Sequence, residues 1–237
     1  MDRVLRSAIL NSNVIDVIQD NKRPFDELMS KYRCAIMEIE TKFKVLNEQY
    51  SLQYDRNPIE TIKTRLKSME SISRKLAQKG KSFSAKSMEE NLDDIAGVRV
   101  ICSFQEDIYT LAKCLLDQDD IELLETKDYI KNPKPSGYRS LHLIVRVPIF
   151  LQNEKCFMKV EVQLRTIAMD FWASLEHKIY YKFEGNAPEY ISRDLRECAG
   201  IVGQLDAKML SLNEAILEAK EKQEHEREEK IREDEHH

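Results

Sequence analysis

Three stretches of this chain carry side chains that could do chemistry together. The first is Val160-Glu161-Val162-Gln163-Leu164-Arg165. As a strand it puts Val160, Val162 and Leu164 on one face and Glu161, Gln163 and Arg165 on the other. A carboxylate, an amide and a guanidinium in a row suit the floor of a polar cleft, though also a solvated face. In a cleft, Glu161 can hold a metal ion or act as a base on a sugar hydroxyl. The second stretch is Asp93-Asp94-Ile95-Ala96-Gly97-Val98-Arg99. An acid at the entry to a strand can bind Mg²⁺, which takes one or two carboxylates plus substrate phosphates. Taken alone, such aspartates are more often caps or turn formers. Arg99 alternates away from Val98 and Val100, toward the cleft side.

The third stretch runs from Lys127 to His142. Pro133, Pro135 and Gly137 bar it from being a helix or a central strand. Lys127, Lys131, Lys134 and Arg139 make a local positive field, and Tyr138 sets a ring beside them. Such a loop suits a ligand with phosphates and a base, the cations meeting the charge and the ring stacking on the base. A solvated loop with an incidental tyrosine is an equal reading on these residues alone. Arg65, Lys67, Ser71, Arg74 and Lys75 offer a further surface for phosphates, although the same pattern describes an ordinary solvated helix face. His142 and His177 are the histidines before the tail, too few for a metal site without acids.

The elements that must position these residues follow from periodicity. Val4, Leu5, Ala8 and Ile9 line a short helix that Asn11-Ser12-Asn13 interrupts, and Pro24 starts the next helix. Phe25, Met29, Tyr32, Ile36, Ile39, Phe43, Leu46 and Tyr50 give that helix a narrow heptad seam. Asn57-Pro58-Ile59-Glu60 reads as a cap opening a helix to Gln78, with Ile62, Leu66, Met69, Ile72 and Leu76 buried. Then the texture changes. Val98–Ser103, Ile121–Thr126, Leu141–Val147 and Cys156–Arg165 read as strands, with a helix over Gln105–Leu116. Thr166–Phe183 is helical, Gly185-Asn186-Ala187-Pro188 a turn, and Ile191 to Ile216 a second heptad helix. The seam of that helix calls for the 24–50 helix, another subunit, or both. Glu221–His237 is a charged tail expected to fray. The expectation is an α+β fold: a mixed sheet of about five strands flanked by helices, with long N- and C-terminal helices.

Bulk properties limit the function classes. The 237 residues carry a net charge of −5, which argues against a general nucleic-acid binder and leaves room for a local basic site. The five cysteines are odd in number and form no CxxC pair, so reduced thiols in a cytosol are expected. No apolar run is long enough to span a membrane, and the N-terminus has no secretory apolar region. A cytoplasmic protein without a membrane partner follows as the default.

Asp94-Ile95-Ala96-Gly97-Val98-Arg99-Val100, Gly137-Tyr138-Arg139-Ser140-Leu141-His142, Glu161-Val162-Gln163-Leu164-Arg165-Thr166 and Ala168-Met169-Asp170-Phe171-Trp172-Ala173-Ser174-Leu175-Glu176-His177-Lys178 occur in order. Together they resemble the synthetase domain of RelA/SpoT-type (p)ppGpp synthetases, over roughly residues 25–215. There is no room for the hydrolase and regulatory regions of the long members, so the chain resembles a small alarmone synthetase of the RelP branch.

The resemblance implies a nucleotidyltransferase-like sheet and transfer of the β,γ-pyrophosphate of ATP to the 3′-hydroxyl of GTP or GDP. It implies Mg²⁺ as cofactor on Asp94 and Glu161, with Glu161 activating the 3′-hydroxyl. Arg65 and Arg99 would sandwich adenine, and Lys67, Ser71 and Lys75 would meet the ATP phosphates. Tyr138 would stack on guanine, Lys127, Lys134 and His142 would hold acceptor phosphates, and Gln163, Asp170 and Glu176 would line the acceptor side. Lys127 stands where the sister RelQ branch carries arginine, keeping the charge and losing the fork. Thr61 and Lys63 lack the pattern of alarmone-activated RelQ members, so allosteric activation is not carried over. A homotetramer is also implied. The expected organisation is a helical extension over 1–23, one synthetase domain over 24–219 and the tail over 220–237. The competing readings are a catalytically weak nucleotide- or RNA-binding protein on the same fold, and a helical adaptor that works through its seams.

Overall fold

Five strands make one mixed sheet in the order β1-β2-β5-β4-β3. They are β1 (Ile59–Leu66), β2 (Ala96–Cys102), β3 (Glu122–Asp128), β4 (Leu141–Phe150) and β5 (Lys155–Thr166). The computed structural model of the chain describes residues 2–54, 56–181 and 188–234. β2 and β5 are parallel at the centre, and every other pairing is antiparallel. Six helices occur among the described residues: α1 (Asp2–Tyr54), α2 (Met69–Gln78), α3 (Ala85–Asn91), α4 (Gln105–Leu116), α5 (Ile167–Tyr181) and α6 (Glu189–Asp234).

Alternation divides the sheet into an apolar and a polar face. Val98, Val100, Leu143, Val145, Val160, Val162 and Leu164 are all buried on the first. The heptad-spaced residues of α1 close over that face: Met29, Tyr32, Ile36, Ile39, Phe43 and Leu46 are buried in one cluster with it. The seam read from the sequence is therefore a helix-on-sheet contact rather than a coiled coil. Ile108, Leu111 and Leu115 of α4 join the same core. A second, smaller cluster ties Trp172 and Ala173 of α5 to Leu195 and Ala199 of α6.

Four expectations need correction or extension. The helix read over 58–78 is two elements, strand β1 and then α2. Ile59, Thr61, Ile62 and Thr64 are β-branched and stiff at χ1, which suits a strand, and β1 pairs antiparallel along β2. Their spacing mimicked a helical stripe because Ile62 and Leu66, four residues apart, fall on both patterns. The true helix starts at Ser68, whose hydroxyl accepts from the Ser71 backbone N–H. Second, Asn11-Ser12-Asn13 and Pro24 do not break the first helix, which runs through both at the cost of one backbone hydrogen bond at Pro24. The side chains of Val4, Leu5, Ala8 and Ile9 lie outside the described residues. Third, α6 continues through the charged segment to Asp234, where Glu, Lys and Arg are good helix formers. Fourth, α6 packs on α5 and α4, while α1 packs on the sheet. The turn expected at Gly185-Asn186-Ala187, and Phe183 before it, lie outside the described residues. Among the described residues no helix is long and apolar enough to cross a membrane.

Candidate active site

The polar face of the sheet is assembled by register. Lys63 on β1 pairs with Arg99 on β2, Arg99 with Gln163 on β5, Gln163 with His142 on β4, and His142 with Lys127 on β3. Partners in register project to the same face, so one row crosses all five strands. The next row reads Arg65, Gly97, Glu161, Ile144 and Glu125. Gly97 places no side chain between Arg65 and Glu161. A cavity of about 240 Å³ lies there, lined by Lys63, Thr64, Arg65, Arg99, Glu161 and Gln163 among others.

Glu161 is half-buried and doubly held. His142 Nδ1 lies 3.2 Å from its Oε1, and Gln163 Nε2 donates to its Oε2 at 2.9 Å. Burial alone would raise its carboxyl. The His142 hydrogen bond and charge, with the Gln163 amide, outweigh burial and hold it below the ordinary carboxylate range. The neighbouring Asp94 charge pushes the other way, which places the two carboxylates in one field.

Asp94 enters from the turn before β2. Its Oδ2 takes Lys67 Nζ at 2.6 Å and Lys75 Nζ at 2.7 Å. Burial pushes this carboxyl up as well, and the two ammoniums overcome it and bring it down. Its Oδ1 is buried and has no hydrogen-bond partner among the described residues. Lys67 sits in the turn after β1 and Lys75 on α2, so the strand-turn-helix brings both to one oxygen. Asp93 instead pairs with Lys159 at 2.6 Å. No group of three or more His, Cys, Asp or Glu able to hold a metal occurs among the described residues. The pair Asp94 and Glu161 nonetheless fits Mg²⁺, which needs only one or two protein carboxylates, and Asp94 Oδ1 is a free, buried ligand atom.

On the other side of Glu161 lies the loop before β4. The Tyr138 hydroxyl is 2.8 Å from His142 Nε2 and also meets Arg165 Nη2. Lys134 Nζ stands 4.6 Å from the Tyr129 ring centre and 4.8 Å from that of Tyr138. Tyr129 and His142 meet edge to face at 5.3 Å. Gly137 gives the loop its turn, with φ 93 and its N–H bonded to the Lys134 carbonyl at 2.8 Å.

Arg165 links the two sides. It is 4% exposed. Besides the Tyr138 hydroxyl it donates to Gln163 Oε1 at 3.0 Å, to Ser140 Oγ at 3.3 Å and to Asp170 Oδ1 at 3.3 Å. Asp170, in the first turn of α5, also takes Lys63 at 2.9 Å and Arg99 at 3.3 Å. Burial opposes ionisation of Asp170, and these cations prevail, keeping its carboxyl below its ordinary value.

The structure thus brings together Glu161, Asp94, Arg65, Lys67, Lys75, Arg99, Tyr138, His142, Gln163 and Asp170. Lys134 joins through the rings, and Ser71 lies at the α2 N-terminus beside Ser68. Lys127 is salt-bridged to Glu125 at 2.8 Å, and that hydrogen bond raises its ammonium above its ordinary value. Glu176 lies six residues beyond Asp170 on α5. That is between one and two turns, so the two carboxylates leave the helix on different sides. Two participants had no place in the sequence reading of the site, Tyr129 and Lys63, and Arg165, read there only as part of the cleft face, is its hub. Tyr129 had a local signal, an aromatic residue in the same cationic loop. Lys63 had none, because its segment read as helix.

The sequence matches the family described as "Region found in RelA / SpoT proteins" over residues 64–186, slightly more than half of the chain. The chain belongs to the RelA/SpoT family. It is 48% identical over 185 residues to GTP pyrophosphokinase YwaC of Bacillus subtilis (strain 168), covering 78% of this chain and 88% of that protein. Among solved structures, the fold of this RelA/SpoT chain matches small alarmone synthetase 2 from Bacillus subtilis with a TM-score of 0.74 and 45% identity. That match covers 81% of this chain and 98% of the other. It also matches small alarmone synthetase 1 from the same organism, bound to its product pppGpp, with a TM-score of 0.76 and 33% identity. There the coverage is 82% of this chain and 98% of the other.

Proposed function

We propose that this RelA/SpoT chain is a GTP pyrophosphokinase that moves the β,γ-pyrophosphate of ATP to the 3′-hydroxyl of GTP or GDP, yielding pppGpp or ppGpp and AMP. The observation that carries this reading is Glu161: a half-buried carboxylate, held below its ordinary pKa, that lines one cavity with Arg65 and Arg99. The near relative is itself named a GTP pyrophosphokinase, and a structural neighbour holds pppGpp.

The donor side is the cavity between Arg65 and Arg99. Two planar guanidiniums suit the faces of adenine. Lys67 and Lys75 lie on Asp94, where triphosphate charge would be met, and Ser71 in the capped first turn of α2 is read as a further phosphate contact. The acceptor side is the loop. The Tyr138 ring is offered to guanine, Lys134, Lys127 and His142 to its phosphates, and Gln163 and Asp170 to its sugar and base edge. Glu176 belongs to the same side of the reading at one remove. Between the two sides Glu161 takes the proton of the 3′-hydroxyl as that oxygen approaches the β-phosphorus, while His142 and Gln163 keep its oxygens aimed.

Mg²⁺ would be held by Asp94 and Glu161. When bound it screens phosphate charge and polarises the transferred group. The five unpaired cysteines agree with a reducing cytoplasm. The apolar residues exposed on α6 agree with a homo-oligomer, read here as a tetramer.

The test is direct. Labelled ATP with GTP or GDP and Mg²⁺ should give a 3′-pyrophosphorylated guanine nucleotide and AMP in equal amounts. Glu161→Gln should lower kcat by about 10²–10⁴-fold. Folded protein that makes no such product refutes the activity, and full rate in Glu161→Gln refutes the base.

A further inference from the structure

The acceptor loop is braced from behind by one face of α6. Gly137 lies against that helix: a Cβ there would come within 2.4 Å of the Ala199 Cβ. Two residues on, Arg139 lays its guanidinium across Gly203. A Cβ on Gly203 would stand 2.4 Å from Arg139 Nη1 and 3.0 Å from its Cζ. Next along the same face, Asp206 accepts a hydrogen bond from Thr166 Oγ1 at 2.7 Å. Thr166 is fully buried, ends β5, and accepts from the Met169 N–H in the first turn of α5. Ala199, Gly203 and Asp206 are spaced by four and three residues, so they share one stripe of α6.

The consequence falls on Tyr138. Its two neighbours in the chain, Gly137 and Arg139, are both seated on α6; the Tyr138 ring packs against the cluster that α6 forms with Trp172 and carries its hydroxyl to His142 and Arg165, with Lys134 over the ring. We propose that Gly203 and Asp206 are positioning residues for the acceptor nucleotide: the gap at Gly203 seats Arg139, the bond at Asp206 fixes the β5–α5 junction, and together they hold the Tyr138 ring where the guanine base lands. None of the three α6 residues touches the reacting atoms. The proposal rests on the reading that Tyr138 receives the acceptor base.

Gly203→Ala tests it. Alanine replaces glycine inside a helix, which by itself favours the helix, so the variant should fold with an unchanged or raised Tm. The added Cβ displaces the Arg139 guanidinium and with it the loop. Calorimetry on the full chain should show the Kd for GDP rising about tenfold, while the Kd for a non-hydrolysable ATP analogue stays within about twofold. In an Arg139→Ala background the same substitution should cost nothing further, since the group it displaces is gone. Asp206→Asn should weaken GDP binding in the same selective manner. A purely structural role would move both nucleotides or the Tm. Equal losses for both nucleotides, or unchanged GDP binding by Gly203→Ala, overturn the inference. Wild-type protein that binds neither nucleotide overturns the functional reading and this inference with it.

Discussion

Arg165 can only donate hydrogen bonds, and that gives the network around Glu161 a direction. Its Nη2 donates to the Tyr138 oxygen, and that hydroxyl is hydrogen-bonded in turn to His142 Nε2. His142 turns its Nδ1 to Glu161. Gln163 follows the same logic: its oxygen accepts from Arg165, so its amide nitrogen turns to Glu161. Both donors to the base are thus oriented by one buried guanidinium. The pH consequence has a definite sign. Glu161 and Asp94 are both held below their ordinary pKa, so both stay ionised down to pH values under the usual carboxylate range. The acid limb of kcat/KM should therefore lie below pH ~4.3, the unperturbed glutamate value. A limb near pH 6 would mean that the base titrates high, contrary to its surroundings. The same lowered groups give stability that is present above the unfolded carboxylate pKa and lost as pH falls through the folded one.

At the scale of elements, two helices do different work. α1 supplies the apolar layer that flattens against β2, β4 and β5, and so keeps the polar row on the far side in register. Phe43 is fully buried in that layer. Phe43→Ala should cost ~3–5 kcal/mol, read as a lower urea midpoint at unchanged slope. A loss under ~1 kcal/mol would mean that α1 is not part of the core. β1 matters in a different way. It carries Lys63 and Arg65 into the site and delivers Lys67 to Asp94 through the turn into α2. Had residues 58–66 been helical, Lys63 and Arg65 would leave the axis on different sides, two residues apart, instead of facing one cavity.

For the whole molecule, the outer stripe of α6 remains uncovered. Leu205, Met209, Leu212 and Ile216 are each roughly half exposed, at heptad spacing, on a helix that extends to Asp234. A homo-oligomer built on this stripe predicts that Leu205→Glu with Met209→Glu lowers the mass seen by light scattering. A wild-type monomer at micromolar concentration would dispose of the assembly. Much of this protein was legible in one dimension. The alternation of Val160–Arg165 put Glu161, Gln163 and Arg165 on one face, and the Lys127–His142 stretch showed its cations, its ring and its glycine. Those are properties of local dihedrals and of residue type, so local sequence contains them. What the tertiary structure decided was neighbourhood. Lys63, Arg99, Gln163, His142 and Lys127 form a row only because strands distant in the chain hydrogen-bond in one register. The strand character of β1, the hub at Arg165 and the seat of Arg139 on Gly203 have the same origin. Pairing energy between remote segments selects the register, and no local periodicity encodes it.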